Sequence, residues 1–393
     1  MKKPIYLDCH STTPMDPRVI RVMSQALKET FGNAASTEHR FGQAAEALVE
    51  KNRKSVADLI HAHPEEIIFT SGATESNNLA IKGIFEIYHD KGSHIVTQVT
   101  EHKSVLDTCR YLETKSAQVT YLKVDSRGSI NLQELEKTIT RQTILISIMM
   151  ANNEIGTRHP IEKIGALAKS RGIFFHVDAA QTAGKIPIDV QKMGIDLLSF
   201  SGHKMYGPKG IGALYVRRQN PRVRLAPLLH GGGHEHGLRS GTLNVPAIVG
   251  FGKACEIAKR EMKADALRIQ KLREEFYAIL NHELDGISLN GHPKERLHGN
   301  LNLSFEGTSS AELLRLLSDH LAVSTGSACA TKSPEPSYVL KAVGIAETQL
   351  HSSIRFGLGR FTTRAEIHEA ARRIIEAVKK VRKASPFYRV QKG

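Results

Sequence analysis

IDLLSFSGHKMYGPKGIGALYV, residues 195–216, is the stretch on which the reading of this 393-residue chain turns. An apolar run from Ile195 to Phe200 has the length of a buried strand and stops abruptly at Ser201-Gly202-His203-Lys204, so a polar tetrad stands where a strand opens onto a site. A turn rich in glycine and proline follows (Gly207, Pro208, Gly210, Gly212), and a second apolar run continues to Val216. A lysine delivered by a buried strand is held away from solvent. Desolvation favours its neutral amine, the form a Schiff-base lysine needs. A single lysine is more often a surface charge, so the weight of this reading rests on the segments around it.

Upstream, strand-like runs recur with helical patterns between them: HIVTQV at 94–99, QVTYLKV at 118–124, TILISIMMA at 143–151 and GIFFHV at 172–177. Near-continuous apolar strands are buried on both faces, and their alternation with helices predicts an α/β domain with a mostly parallel sheet. Three of these runs end in polar clusters: Thr100-Glu101-His102, Asn152-Asn153-Glu154 and Asp178-Ala179-Ala180-Gln181. Ligands in such sheets bind beyond the carboxyl ends of the strands, so these clusters and Ser201–Lys204 are expected to meet in one pocket. Residues 67–88 add a strand, the small-residue turn TSGATESNN and a helix whose apolar face is Ile81, Ile84, Phe85 and Tyr88. Gly72, Ala73 and Thr74 then hold a phosphate on the helix N-terminus, or form an ordinary capped turn.

Residues 1–15 read as extended and irregular, and Asp16 to about Lys28 as a helix. TFGNAASTEHRFG, residues 30–42, is a loop whose Asn33 and His39 are candidates to face a pocket. In HGGGHEHGLRSGTLNVP, residues 230–246, three histidines suggest zinc, but consecutive glycines fix no ligands and no carboxylate or thiol pair completes a tetrahedron. Arg239, Ser240 and Thr242 are instead expected to aim at a phosphate. A long helix from Cys255 to Leu284, with Ile269, Leu272, Phe276 and Leu280 on one face, reads as a spine leading to a smaller α+β domain. There STGSACATKSPEPS, residues 324–337, surrounds Cys329 with small polar residues and prolines, the composition of a loop. A cysteine on a loop is a candidate for reactivity, where a buried one is packing. Arg355 lies in the strand-like SIRFGLG, and the last helix carries Ile367, Ala371, Ile374, Val378 and Val381 on one face. Its basic end reads as a solvated face, with a docking surface for an acidic partner as the lesser alternative.

The bulk composition is that of an ordinary globular protein: 40% hydrophobic and 24% charged. Two domains suit the length, no apolar run approaches the roughly 18 residues of a membrane span, and MKKPIYLDCHSTTP lacks the apolar core of a secretory signal. A cytoplasmic location is expected. Cys9, Cys109, Cys255 and Cys329 lie far apart without a C-x-x-C, and so are expected to stay as thiols. The net charge of +14 favours acidic partners, but no RNA-binding motif accompanies it and no direct contact with nucleic acid is expected.

With lysine, strand-end aspartate, phosphate turn and loop cysteine in hand, the chain resembles the cysteine desulfurases of the NifS/IscS group, fold type I pyridoxal phosphate enzymes of the class V aminotransferase superfamily. The resemblance runs through YLD…TTP, SGATESNN, TEHKSV, NNEIG, HVDAAQ, SGHKMYGPKGIG, GGGHE…RSGT, STGSAC and SSIRF, in this order and over nearly the whole length. It implies an α/β large domain with a mostly parallel seven-stranded sheet, placed at residues 16–260. It also implies a small α+β domain made of 1–15 and 261–393, with the cysteine loop at about 324–337. The implied cofactor is pyridoxal 5'-phosphate, carried on Lys204, with Asp178 at the pyridine nitrogen, His102 over the ring, Gln181 at the phenolate oxygen and Asn153 beside the ring. Ala73, Thr74, Ser201 and His203 would hold the phosphate, and Thr242 would reach it from the other subunit of a homodimer. Arg355, with Asn33, would bind the substrate carboxylate, and Cys329 would take sulfur from L-cysteine as a persulfide, leaving alanine. Housekeeping members of the group continue beyond SPFYRVQKG with a tail that helps dock an iron–sulfur scaffold. This chain departs from that pattern, so the resemblance leaves the sulfur acceptor open between a scaffold and a tRNA-thiolation relay. Related readings are a selenocysteine lyase or a transaminase; from another class, the basic charge suggests a non-catalytic sulfur-relay or RNA-associated adaptor.

Overall fold

The computed structural model describes residues 3–325 and 336–384. In chain order the first part comprises β1 (Ile5–Tyr6), α1 (Pro17–Glu29), α2 (Arg40–Leu59), β2 (Ile67–Thr70), α3 (Ala73–Tyr88), β3 (His94–Gln98), α4 (Lys103–Glu113), β4 (Gln118–Leu122), α5 (Leu132–Thr138), β5 (Thr143–Ser147), α6 (Ile161–Ser170), β6 (Phe174–Asp178), β7 (Leu197–Ser201) and β8 (Gly212–Val216). After these come α7 (Val245–Glu283), β9 (Ile287–Leu289), β10 (Asn300–Phe305), α8 (Ser310–Leu317), β11 (Leu321–Ala322), α9 (Tyr338–Ala342), α10 (Glu347–Leu350), β12 (Ser353–Gly357) and α11 (Arg364–Ala384).

Seven strands form one sheet in the order β2-β8-β7-β6-β5-β3-β4, parallel except for β8, which runs antiparallel to both neighbours. Alternate side chains of each strand go to opposite faces. Ile67, Phe69, Leu198, Phe200, Ala213 and Tyr215 join one core with α2, α6 and the start of α7. Ile68, Leu197 and Leu214 join the other with α3 and α4. Buried on both faces, the strands read as apolar runs without alternation.

Helix α7 has 39 residues, a length of roughly 58 Å at 1.5 Å per residue. Its first half (Ile248, Phe251, Cys255) packs on the large sheet, and Leu272, Phe276 and Leu280 enter a second core with β10, β12, α8 and α11. Expected from Cys255, the helix begins ten residues earlier, capped by Asn244, whose side chain accepts from Ala247 N–H. The three-stranded sheet β12-β10-β9 belongs to this second core. So does Leu7, drawn in because β1 pairs in parallel with β11. Beyond Glu376 the basic end of α11 is solvated only in part: Lys379, Lys380 and Lys383 are exposed, whereas Arg382 is buried and donates to Glu306 O (2.9 Å) and Asp285 O (2.8 Å). Among the described residues no helix is long and apolar enough to cross a membrane.

Candidate active site

The carboxyl ends of β2, β5, β6 and β7 open into a cavity of about 1260 Å³, bounded on the far side by the N-terminal segment and by Arg355 of β12. Ala73, Thr74, His102, Asn153, Asp178, Gln181, Ser201, His203, Lys204 and Arg355 all line it. Residues up to 282 positions apart in sequence are thus brought to one space, as the four strand-end clusters predicted.

Asp178 ends β6 and is almost fully buried. Its Oδ1 accepts from Ala180 N–H (2.9 Å) and its Oδ2 from Asn77 Nδ2 (2.8 Å). The Asn77 amide also donates to Ser104 Oγ (2.8 Å), and Ser104 donates to His102 Nδ1 from its backbone N–H (3.1 Å) and its hydroxyl (2.8 Å). His102 is the N-cap of α4. With Nδ1 accepting, the neutral ring carries its proton on Nε2. A fixed chain of polar groups therefore joins the acid to the imidazole across the cavity wall. Asn77 and Ser104 escaped the reading of the sequence, although both lie inside quoted motifs.

Lys204 closes a single helical turn, Gly202–Lys204, directly after β7. Its Nζ donates to the carbonyls of His10 (2.6 Å) and Ser11 (2.7 Å). The N-terminal segment clasps the turn at further points: Thr13 N–H and Thr13 Oγ1 both donate to His203 O (3.0 and 2.8 Å), and Tyr206 N–H donates to Thr13 Oγ1 (2.8 Å). Burial, then the charges of Lys204, Lys209 and Lys185, push the His203 imidazole down to about 4, so it is neutral near pH 7. Gln181 Nε2 donates to His10 O (2.9 Å), and its Oε1 accepts from His10 Nδ1 (3.0 Å) and Lys185 Nζ (3.4 Å). Lys185, four residues beyond Gln181 and half-buried, is pushed down to about 7 by desolvation and by Lys204. Neither His10 nor Lys185 was assigned a part from the sequence.

The turn from β2 to α3 has the form of an anion site. Gly72 is its N-cap at φ 151°, a left-handed conformation, and contributes no side-chain cap to the helix N–H groups. Gly212 lets the strands close up beside it, since a Cβ there would lie 2.5 Å from Phe200 O and 2.7 Å from Gly72 Cα. Ser201, buried, and His203 stand opposite. These features fit pyridoxal phosphate. An uncapped helix N-terminus suits the phosphate, a buried carboxylate suits the ring nitrogen, and Asn153 Oδ1 is a buried acceptor without a hydrogen-bond partner among the described residues.

At the substrate side, Arg355 Nη1 donates to Asn153 O (3.0 Å) and Nη2 to Asp8 Oδ1 (2.8 Å). The chain on either side of residues 326–335 is tied to the same rim. Ser324 exchanges backbone hydrogen bonds with Arg355, Ser337 Oγ donates to the buried Glu154 Oε2 (2.5 Å), and Tyr338 Oη donates to Glu101 O (2.7 Å). Cys329 itself lies outside the described residues, as does most of the expected loop.

Glu101, the residue before His102, is fully buried, and burial chiefly, with Asp178 adding repulsion, pushes its carboxyl up to about 8. Its Oε1 accepts from Gln98 Nε2 (2.7 Å) and Met149 N–H (2.6 Å), while Oε2 has no partner among the described residues. Between its ordinary 4.5 and about 8 the folded protein keeps a proton that the unfolded chain has lost. Stability therefore falls as pH rises through that window. Glu101→Gln removes this slope. Its melting temperature relative to wild type is expected to be higher at about pH 8 than at about pH 5, by the equivalent of roughly 3 kcal/mol. A constant difference between the two pH values would show that Glu101 is ionised throughout.

Two of the expected residues, Asn33 and Thr242, lie away from this chain's own cavity. Asn33 is exposed and does not line the cavity: its Oδ1 accepts from Ala35 N–H (3.0 Å), a local turn that a small-residue loop favours over a reach inward. Arg239 does not aim at a phosphate through its Nε, which donates to Glu75 Oε1 (3.0 Å) in the first turn of α3. Burial of Glu75 opposes ionisation, but hydrogen bonds from Arg239 and Ser71 outweigh it and hold its carboxyl below the ordinary value. Thr242 is exposed and lies outside the lining of this chain's own cavity. The glycine-rich loop is pinned by Glu235, whose carboxylate takes Arg53 Nη1 and Nη2 (2.9 and 2.7 Å) and Phe69 N–H (2.6 Å).

The Aminotransferase class-V family matches residues 5–369. Cysteine desulfurase IscS of Shewanella frigidimarina is 54% identical over 394 residues, covering 100% of this chain and 97% of the relative. That of Ehrlichia chaffeensis is 53% identical over 391 residues, covering 99% and 95%. Among solved structures, a NifS-like protein superposes with a TM-score of 0.90 at 38% identity, over 96% of this chain and all of that one. SspA in complex with cysteine gives 0.80 at 40% identity, over 91% of this chain and all of that one.

Proposed function

The chain belongs to the class-V aminotransferase family, and on that premise we propose the following assignment of its reaction and residues. It is a pyridoxal-phosphate-dependent cysteine desulfurase, which converts L-cysteine to L-alanine and passes the sulfur to an acceptor. The observation that carries the assignment of residues is the shared cavity of Lys204, Asp178 and His102, walled by an uncapped helix N-terminus.

Lys204 would hold the cofactor covalently, with Asp178 available to its ring nitrogen, His102 to its ring, and Ala73, Thr74, Ser201 and His203 to its phosphate. When bound, pyridoxal phosphate supplies an electron sink that stabilises negative charge at the substrate Cα. The protein's own groups do the rest. Asp178 is held rigid by Asn77 and Ala180, so it presents a fixed acceptor. Arg355 orients the substrate by its carboxylate. The Lys204 amine would take the Cα proton, and His102 Nε2 would exchange a proton at the substrate sulfur or at the entering thiol. Cys329, as thiolate, attacks the sulfur of L-cysteine. The S–S bond forms as Cβ–S breaks, and the electron pair left on carbon takes up a proton to give alanine. An ordinary thiol is only a few per cent ionised near neutrality, so a base near the cavity matters.

A homodimer completes the assignment, with the exposed Thr242 contributed to the partner's phosphate site. A large unit of residues 16–260, a small unit of 1–15 with 261–393, a cytoplasmic location and an iron–sulfur scaffold or tRNA-thiolation relay as acceptor are further parts of the same reading. The test is turnover of L-cysteine with a thiol reductant by protein of measured solution mass. Equimolar alanine and sulfide from a species of twice the chain mass is the expected result. Pyruvate in place of alanine, or no turnover from cofactor-loaded protein, would overturn it.

A further inference from the structure

Asp8 follows β1 and belongs to none of the groups assigned above. Its carboxylate Oδ1 accepts from two sides: from Arg355 Nη2 at 2.8 Å and from Ser324 Oγ at 3.2 Å. The backbone around it is fixed against β12, since Gly357 N–H donates to Leu7 O (2.7 Å) and Cys9 N–H donates to Gly357 O (3.0 Å). Arg355 in turn is almost fully buried, and the Asp8 side chain largely so, at 3% and 17% exposure. A guanidinium on a long stem has several rotamers. Here Asn153 O takes one of its arms and Asp8 the other, which leaves one orientation of the fork.

Resting on the reading of Arg355 as the carboxylate clamp, we propose that Asp8 is a positioning residue for substrate recognition. It fixes the Arg355 fork for the α-carboxylate of an amino acid and, through the same oxygen, ties that fork to Ser324 at the edge of the segment carrying Cys329. The placement has a physical logic. The pair Asp8–Arg355 is buried, so an unpaired guanidinium would be costly, and the aspartate keeps the charge compensated until a substrate carboxylate arrives. The substrate then adds to a preset donor array and need not order a flexible arginine, which lowers the cost of binding. Because Ser324 shares the oxygen, occupation of the fork is felt where the chain leaves toward Cys329.

The test uses cofactor-loaded Asp8→Asn, which keeps the side-chain shape and removes the charge. Its kcat/KM for L-cysteine is expected to fall about tenfold, mainly through KM, with about tenfold weaker binding of L-alanine. Cysteamine, which has amine and thiol but no carboxylate, is expected to react at the wild-type kcat/KM. Equal losses on both substrates would reduce Asp8 to a structural role and overturn the proposal, as would unchanged L-alanine binding. Arg355→Ala in the same assay separates the two readings. If it leaves L-alanine binding intact, the clamp assignment fails; if it weakens binding and Asp8→Asn does not, the positioning role alone fails. Should Asp8→Asn melt well below wild type, Asp8→Glu, which restores the charge, must recover the preference for L-cysteine over cysteamine, and failure to do so counts against the proposal.

Discussion

Lys204→Ala is expected to abolish retention of pyridoxal phosphate on dialysis, remove the visible absorbance of the loaded protein and lower sulfide production by about five orders of magnitude. The size follows from the position. Lys204 is delivered directly by the end of β7 to the cavity that Asp178 and His102 also line, whereas Lys185 contacts Gln181 and is no part of that lining. Loss of fold is not the expected cause. The two hydrogen bonds from Lys204 to His10 O and Ser11 O disappear, but Thr13 still holds His203 and Tyr206, so the N-terminal segment stays docked. Lys204→Arg provides the control. It keeps a cation near those carbonyls, yet a guanidinium stays protonated and forms no Schiff base, so it should be as inactive as alanine while melting near wild type. Covalent retention of the cofactor by either variant would mean that a different amine carries it.

Cys329→Ser is expected to separate cofactor chemistry from sulfur transfer. The variant should bind pyridoxal phosphate and change its visible spectrum with L-cysteine as wild type does, while sulfide release falls about a thousandfold or more and no persulfide forms on the chain. A serine hydroxyl is scarcely ionised near neutrality and is a poor nucleophile for sulfur, whereas a thiol needs only a modest fall in pKa. The chain flanking Cys329 supports its role: Ser324 on one side pairs with Arg355, and Ser337 on the other is held by Glu154 at the cavity rim. Sulfide release at the wild-type rate would move the acceptor thiol elsewhere. Cys9, Cys109 and Cys255 are poor substitutes, since all are buried, and burial pushes the first two thiols up to about 12 and the third higher still.

The strands of the large sheet and their polar ends were legible because the signal is local. An apolar run that stops at Ser201 or Asp178 marks both the strand and the site within a few residues. What the sequence hid is long-range. Asn77 reaches Asp178 across 101 positions and Arg239 reaches Glu75 across 164, and no spacing rule connects them. The start of α7 was missed for a different reason. Gly250 and Gly252 look like loop residues, yet they mark close helix contacts: a Cβ at Gly250 would lie 2.4 Å from Met23 Sδ, and one at Gly252 2.3 Å from Asn52 Oδ1. The pair is small because α1 and α2 press on α7 there, and not because the helix ends. Asn33 shows the limit of composition as a guide, a polar residue in a polar loop whose side chain takes a partner two positions away.

The clasp of residues 10–13 on the turn at 202–206 bears on how this enzyme is handled and how it can vary. Residues 10–13 carry none of the chemistry assigned above, yet they are masonry of the reaction chamber. A substitution there would therefore imitate a catalytic defect while the bulk fold looked sound.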